Sequence, residues 1–300
     1  MSMTQVLVDS LLRAAELGLV AMGLTIVYSL VKFANIAHVE FATVGAFIAL
    51  AVAGSSTGSI ALAGAMSAMV VGLLAIVLHR TFFKRLLRSG SAIPMIGSLA
   101  LAIVLRAVVQ LFMGTRPSSF DRPLERAIEI GGAFITPLQV WLIAITLATI
   151  AVFMIVLYRT KLGRTLRAVA ANPELAAASG INVNRSIDIA WFLGAGFAAL
   201  GGVFLALNTQ ASIQIGSNLL LPVFAVVILG GIGSPVGALL AAILIALAEN
   251  TILQLDWGLL FGDSSFYMPL SYDVAIGFIV LVLTLLIRPQ GLFGTAARDA

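Results

Sequence analysis

The sequence predicts an all-α polytopic membrane protein with about eight to nine transmembrane or re-entrant helices. Three observations carry that prediction. Hydrophobic residues make up 61% of the chain and charged residues only 10%, with a mean hydropathy of +1.11, whereas soluble domains are roughly 45–50% apolar and about 25% charged. The apolar residues fall into stretches near the ~20 residues that cross a bilayer. The stretches are also rich in small residues, 28 Gly among them, which let helices in lipid pack backbone to backbone. One soluble core cannot hide so much apolar side chain, and 1–300 reads as a single transmembrane domain.

Taken in order, helices are expected near 11–31, 36–53, 59–79, 91–113, 137–158, 186–207, 218–253 and 271–287. Met1 to Val8 carry no Lys or Arg and no small-residue cleavage site follows. A removable signal peptide is therefore not expected, and the first helix is expected to drive insertion. The 218–253 stretch is too long for one simple crossing and contains Gly230-Gly231-Ile232-Gly233-Ser234-Pro235-Val236-Gly237. Glycine weakens a helix and proline removes a donor, so two short helices or a re-entrant pair are expected to meet there.

Basic residues in short loops mark the cytoplasmic side. The segment from His79 to Arg88 holds Arg80, Lys84, Arg85 and Arg88 with no acid, and Tyr158 to Arg185 holds Arg159, Lys161, Arg164, Arg167 and Arg185 against Glu174 alone. Both are expected inside. The 114–136 loop balances Arg116, Arg122 and Arg126 with Asp121, Glu125 and Glu129, and the 254–270 loop has Asp256 and Asp263 with no base. Both fit the outside. The tail with Arg288 and Arg298 then lies inside if 218–253 crosses as a hairpin, and the N-terminus, where Asp9, Arg13 and Glu16 give little bias, falls outside.

Several function classes drop out. Cysteine is absent, which removes disulfides, thiolate metal sites and cysteine nucleophiles. The net charge of +4 and pI of about 9.9 come from bases scattered among apolar spans, a pattern of membrane orientation rather than nucleic-acid binding. The two histidines, His38 and His79, are far apart in sequence, with no HExxH; no catalytic or metal-binding residue is expected, and Ser98 and Ser234 are expected to pack or bond to backbone. There is no GxxxxGK[ST], so the usual phosphate-binding loop is missing and no nucleotide cofactor is expected on this chain.

Candidate pore or helix-break residues are Asn35, His38, Glu40, Arg106, Gly230, Gly231, Gly233 and Ser234. In Asn35-Ile36-Ala37-His38-Val39-Glu40-Phe41, one reading is a polar joint at a broken helix, since ionisable groups near a span face the bundle interior or a wet cavity. The other is a helix cap, with Asn35 satisfying free amides and Glu40 at the positive end of the dipole. Arg106 stands alone in the apolar 93–113 stretch, either lining a solute path or snorkelling and pairing with a neighbour. No acid is expected at equal depth. Glu249, Arg13 with Glu16, and Asp188 lie near helix ends, where caps and surface pairs are expected.

The long basic loop near 159–185 is the most informative stretch. Asn172-Pro173-Glu174 starts a helix with a capping Asn, Pro at the first position and an acid at the positive end, and Gly180 ends it. A short Ala-rich helix with no core of its own invites a docking partner; the alternative is a helix lying on the membrane surface.

At these residues the sequence resembles the permease subunits of branched-chain amino-acid ABC importers, the LivH-type family. The matching pieces are Gly23-Leu24-Thr25-Ile26-Val27-Tyr28 leading into the Asn35–Phe41 element, Leu166-Arg167-Ala168-Val169-Ala170 with Gly180-Ile181-Asn182-Val183, Val227-Ile228-Leu229-Gly230-Gly231-Ile232-Gly233-Ser234, and Arg288-Pro289-Gln290-Gly291-Leu292-Phe293-Gly294. One departure is Val39, where the family usually has Gly after the histidine. The resemblance implies a bacterial inner-membrane importer with two related permeases, two cytoplasmic ABC ATPases that hydrolyse the ATP, and an extracytoplasmic solute-binding protein. It also implies that Asn172, Pro173, Glu174, Ala176, Ala177, Gly180 and Ile181 belong to the helix that sits in a groove of the ATPase. Leucine, isoleucine and valine are the family's default solutes, with urea, short amides and small organic acids carried by relatives. A competing reading is an ion-coupled secondary transporter, which predicts paired intramembrane charges; another is a structural membrane subunit, told apart by whether ATPases are among its partners.

Overall fold

The first helix is the axis of the bundle. In a computed structural model that describes residues 3–54, 59–90, 92–122, 125–258, 267–269, 272–288 and 290–293, α1 (Met3–Val31) runs 29 residues, about 43 Å at ~1.5 Å per residue. Every residue from Glu16 to Val27 is buried, so the helix is apolar on all sides and enclosed on all sides. It begins eight residues earlier than hydropathy places it, because Thr4, Gln5, Asp9 and Ser10 lower the apolar average without opposing helix formation.

After Val31 the chain turns through Lys32, whose φ is +56°, and re-enters the bundle in an extended run. It resumes as a tight turn, Ile36–Val39, and then α2 (Glu40–Ala53). α3 (Ile60–Leu78) continues to Ser89 through a wide turn at His79–Phe83, and α4 (Ala92–Met113) follows. An antiparallel hairpin of β1 (Ile128–Ile130) and β2 (Ala133–Ile135) decorates the next loop, with Glu129 opposite Phe134. α5 (Pro137–Arg159) opens on a capping box, Thr136 with Gln139. Then come α6 (Lys161–Ala171), α7 (Pro173–Ala178), α8 (Val183–Asn208), α9 (Ile215–Gly230), α10 (Pro235–Gln254) and α11 (Asp273–Ile287). Among the described residues, seven helices are long and apolar enough to cross a membrane, and α9 and α11 are shorter apolar helices. The expected break within 218–253 is found between Gly230 and Pro235.

Small residues set the packing of the core. α8 packs on α1, α2 and α3, and α10 packs on α1. At two crossings the backbones meet directly: a Cβ added at Gly202 of α8 would strike the Ala42 carbonyl of α2, and one added at Gly23 of α1 would strike the Gly194 carbonyl. Glycine is needed at such close approaches.

The elements sort into two ends. At one, the Phe134 amide donates to Gln5 Oε1 at 2.7 Å, Ser118 and Ala211 exchange backbone bonds at 2.9 and 2.8 Å, and Gln254 Nε2 donates to Asp9 at 3.1 Å. The start of α1, the hairpin loop and the ends of α8 and α10 therefore lie together. The opposite end gathers the basic segments. There Phe83 packs tilted and His79 edge-on against the buried Trp191 at 4.9 and 5.4 Å, and Arg80 donates twice to Asp188, at 3.0 and 2.7 Å. Of the tail, 290–293 is described and Pro289, Gly294 and Arg298 lie outside the described residues, as does Asp263.

Candidate functional site

The break between α1 and α2 places a carboxylate inside the bundle. Glu40 is the first residue of α2 and its side chain is 1% exposed. Arg106 of α4 reaches it: Nε donates to Oε1 at 3.2 Å and Nη2 donates to the same oxygen. The other oxygen, Oε2, accepts from Thr43 Oγ1 at 3.0 Å, and that hydroxyl accepts from the amide of Gly216 at 2.8 Å. Gly216 is the second residue of α9. Two helix starts, each a centre of partial positive charge, and one guanidinium thus converge on a single carboxylate. Gly216 has to be glycine, since a Cβ there would lie 2.6 Å from the Glu40 carboxyl carbon.

Three sequence expectations change here. Arg106 is paired, as one reading had it, but with an acid of equal depth that was not expected. The short segment from Lys32 to Asn35 carries the chain back into the bundle before α2 starts, so the joint lies inside the bundle. Asn35 also does not cap. It is 0% exposed and neither side-chain atom makes a hydrogen bond; the Ile36 amide instead donates to Ser98 Oγ of α4 at 2.9 Å. His38 is equally buried and packs edge-on against Phe41 at 5.9 Å. Its ring nitrogens lack a well-formed hydrogen bond, with the Val20 carbonyl within reach. A Cβ at Gly23 would lie 3.0 Å from its Nε2, which puts the ring about 12 Å up from the end of α1.

Gly230, Gly231, Gly233 and Ser234 are not brought to Glu40. They form the α9–α10 joint at the basic end, where Gly231 and Gly233 take φ of +93° and +88° and Ser234 Oγ caps the Gly237 amide at 3.1 Å. The tail docks on this joint, with the Leu292 amide donating to Leu229 O at 2.7 Å and the Phe293 amide to Gly230 O at 3.2 Å.

At the other end, residues read as caps and surface pairs form a buried network. Arg13 of α1 donates from Nε to Glu249 of α10 at 2.9 Å and lies 3.6 Å from Asp273 of α11 and 3.9 Å from Glu16. Glu249 is 2% exposed, and Asn208 of α8 donates to Glu16 at 3.4 Å. With Asp9 these groups line a cavity of about 350 Å³. Only the i, i+3 pair of Arg13 with Glu16 is visible as spacing in the sequence; the contacts to Glu249 and Asp273 come from distant helices. Among the described residues no group of three or more His, Asp and Glu is placed to hold a metal ion.

The basic end presents α7. Asn172 Oδ1 accepts from the Leu175 amide at 2.9 Å, Pro173 sits at the first position and Glu174 in the first turn. The Gly180 and Ile181 amides donate to Ala177 and Ala176 carbonyls at 3.0 Å each, and Gly180 takes φ of +81°, a left-handed close of the kind glycine favours. Ala176 is buried, whereas Leu175 is 65% exposed and Asn172, Pro173, Glu174, Ala177 and Gly180 are exposed around it. What holds α7 out is α6, an amphipathic helix not foreseen in the loop. Leu166 and Val169 are buried on one side of it, and Arg167 donates to the Leu157 carbonyl while stacking over Tyr158 at 5.2 Å.

Comparison with known proteins identifies the family. The family described as branched-chain amino acid transport system, permease component, matches residues 6–285. The chain is 28% identical to the high-affinity branched-chain amino acid transport system permease protein BraD of Pseudomonas aeruginosa, over 97% of this chain and 95% of the relative. It is 28% identical to the corresponding protein LivH of Escherichia coli K12, over 92% and 90%. Among solved structures, PsaBC from Streptococcus pneumoniae in complex with Fab superposes with a TM-score of 0.50 at 17% identity, covering 95% of this chain and 92% of that one, a likeness of fold. The chain belongs to the branched-chain amino acid transport permease family.

Proposed function

We propose that the chain is one half of the transmembrane pore of an ATP-driven importer that carries branched-chain amino acids or chemically related small solutes into the cytoplasm. The observation that carries this reading is α7: a capped, exposed helix, held away from the bundle by α6 and presenting a bare leucine at the basic end. An exposed apolar side chain in the middle of so short a helix suits the groove of a soluble partner. Two cytoplasmic ATPases supply the energy, since the sequence has no phosphate-binding loop of the usual kind. A second, related permease completes the pore, and a solute-binding protein delivers the solute at the end that holds the hairpin and the start of α1. The chain itself works by changing shape and needs no catalytic residue or bound cofactor. The basic end faces the cytoplasm and the N-terminus the outside of a bacterial inner membrane, in keeping with the excess of Arg and Lys there.

The buried acids Glu40, Glu16 and Glu249, with Arg106 beside the first, favour a second reading, an ion-coupled carrier. One experiment separates the two. The tagged chain is purified in mild detergent, co-purifying proteins are identified, and ATP hydrolysis and leucine uptake are measured in reconstituted vesicles. Co-purifying ATPases, with uptake that needs ATP and falls at least tenfold in Leu175→Asp, support the importer. Uptake by the chain alone under an ion gradient without ATP would replace that reading with the carrier.

A further inference from the structure

Arg106 is on the wrong side of its helix for a residue facing lipid. The buried stripe of α4 is Pro94, Ser98, Leu101, Ala102, Leu105 and Val109; Arg106 sits at its edge with its side chain 36% exposed. It lies about 21 Å along a helix of roughly 33 Å. A guanidinium left partly uncovered at that depth is costly against hydrocarbon and calls for a partner or water. Its surroundings are polar in the same way. One turn further along α4, Gln110 is exposed, and the start of α9, tied to Glu40 through Thr43 and Gly216, exposes Gln214 and Asn218, with Ser217 between them half-buried. On the other side of α4, and on α5, bulky apolar side chains such as Val104, Leu147 and Ile155 are each more than half exposed. Polar side chains are thus exposed on the two elements joined through Glu40, whereas the opposite side of α4 and the exposed side of α5 are apolar.

We propose, resting on the importer reading, that this strip of α4 and α9 walls the solute path and that Arg106 takes the solute's carboxylate there, exchanging Glu40 for it. The hydrogen bonds already allow the exchange. Both guanidinium contacts go to Oε1, whereas Oε2 is held separately by Thr43. Glu40 therefore keeps a hydroxyl and two positive helix ends when Arg106 turns away, and the planar fork of an arginine suits a carboxylate better than a lysine does. Glu40 is a positioning residue, because at 1% exposure it does not meet the solute itself.

The absence of cysteine from the sequence makes the test clean. In the assembled complex, Asn218→Cys and Gln110→Cys are treated with a charged, water-soluble methanethiosulfonate, with Ile155→Cys as the lipid-facing control. Modification of the first two at least tenfold faster than the control, slowed by leucine in the presence of binding protein and ATP, supports the path. Equal rates at all three positions overturn it. For the carboxylate, transport in Arg106→Lys and in the charge-free Glu40→Gln/Arg106→Gln pair is compared for leucine and for leucinamide, which lacks the carboxylate. The expected result is a loss of at least tenfold for leucine with less than a threefold change for whatever leucinamide transport the parent shows. Leucine uptake within twofold of the parent in the double variant sinks the role of Arg106, and so does a parent that moves leucinamide as well as leucine. Both failures are distinct from failure of the importer reading, which the co-purification and ATP dependence decide.

Discussion

Glu40 is a buried carboxylate held by a half-buried guanidinium, and the value of the pair lies in both members being present. Removing one partner of a buried ion pair costs about 3–5 kcal/mol, because the other is left uncompensated, whereas removing both charges costs far less. Arg106→Ala is thus expected to lower the stability of the detergent-solubilised protein by about 3 kcal/mol. Glu40→Gln/Arg106→Gln recovers most of that loss, as a double-mutant cycle on thermal unfolding would measure. Additive single and double effects would mean that the two side chains do not interact. Asn35 and His38 make the opposite case. Each is fully buried without a well-formed hydrogen bond, and an unsatisfied buried polar group costs roughly 1–3 kcal/mol. His38→Phe, which keeps an aromatic ring against Phe41, is expected to raise stability by about 1 kcal/mol and to reduce uptake if the histidine finds its partner in another state of the pore. A drop in stability would show that the ring is already well paired here. At this scale the sequence supplied the residues but not the pairings. Asn35, His38, Glu40 and Arg106 stand out as polar groups in apolar company, yet nothing in their spacing says that residues 66 apart share a proton donor and acceptor, or that a serine on α4 does the capping expected of Asn35.

Element boundaries were legible to the extent that hydropathy controls them. α2, α4, α5 and α8 lie within a few residues of the apolar stretches, and the Gly-Pro break between α9 and α10 is found where helix-weakening residues place it. The polar start of α1 was missed because Thr4, Gln5, Asp9 and Ser10 lower the apolar average, and all of α6 because its helicity is written in amphipathic spacing and the Thr160 cap, which an apolar window averages away. Packing between elements follows glycine more finely than sequence alone reveals, and two glycines predict opposite outcomes. Gly202→Leu drives a side chain into the α2 backbone at Ala42 and is expected to cost about 3 kcal/mol or more, at the upper end of overpacking penalties, or to prevent insertion. Gly64→Ala of α3 would meet only Leu200, at 3.7 Å, an ordinary contact. It should be neutral or stabilising by about 0.5–1 kcal/mol, the helix preference of alanine over glycine. Thermal midpoints of the two variants check the pair; equal effects would mean that the α2–α8 approach is not as close as described. At α7, Gly180→Val forces a β-branched residue to φ of +81°, costing roughly 1–2 kcal/mol locally. Since a Cβ added at Gly180 meets nothing within 4 Å, the loss should fall on the shape of α7 and hence on uptake, with global stability little changed.

For the molecule as a whole, the two ends differ in what holds them, and that difference has to agree with the membrane. The end with the hairpin is tied across distant elements by side-chain bonds: Gln5 to Phe134, Asp9 to Gln254, Gln139 to Asn208, and Arg13 to Glu249 and Asp273. The opposite end carries Arg80, Lys84, Arg85, Arg88, Arg159, Lys161, Arg164, Arg167 and Arg185, with Glu174 and Asp188 as the acids nearby. Bases in short loops stay on the cytoplasmic side, which supports the proposed orientation with α7 in the cytoplasm and the hairpin outside. With the permease expressed alone, so that no ATPase covers α7, single cysteines at Phe134 and Leu175 test this directly, both positions being well exposed at 59% and 65%. Phe134→Cys is expected to react with an impermeant maleimide on intact spheroplasts. Leu175→Cys should react only after the membrane is opened, because an odd number of crossings lies between the two sites, α5 alone spanning the bilayer from one to the other. The reverse pattern would invert the whole bundle. It would set the bare leucine of α7 on the outside, where no ATPase is found, and leave the basic end on the side from which positive charge is excluded during insertion. Reaction at both positions in sealed spheroplasts would mean that α5 does not cross, and the order of every later helix would change with it.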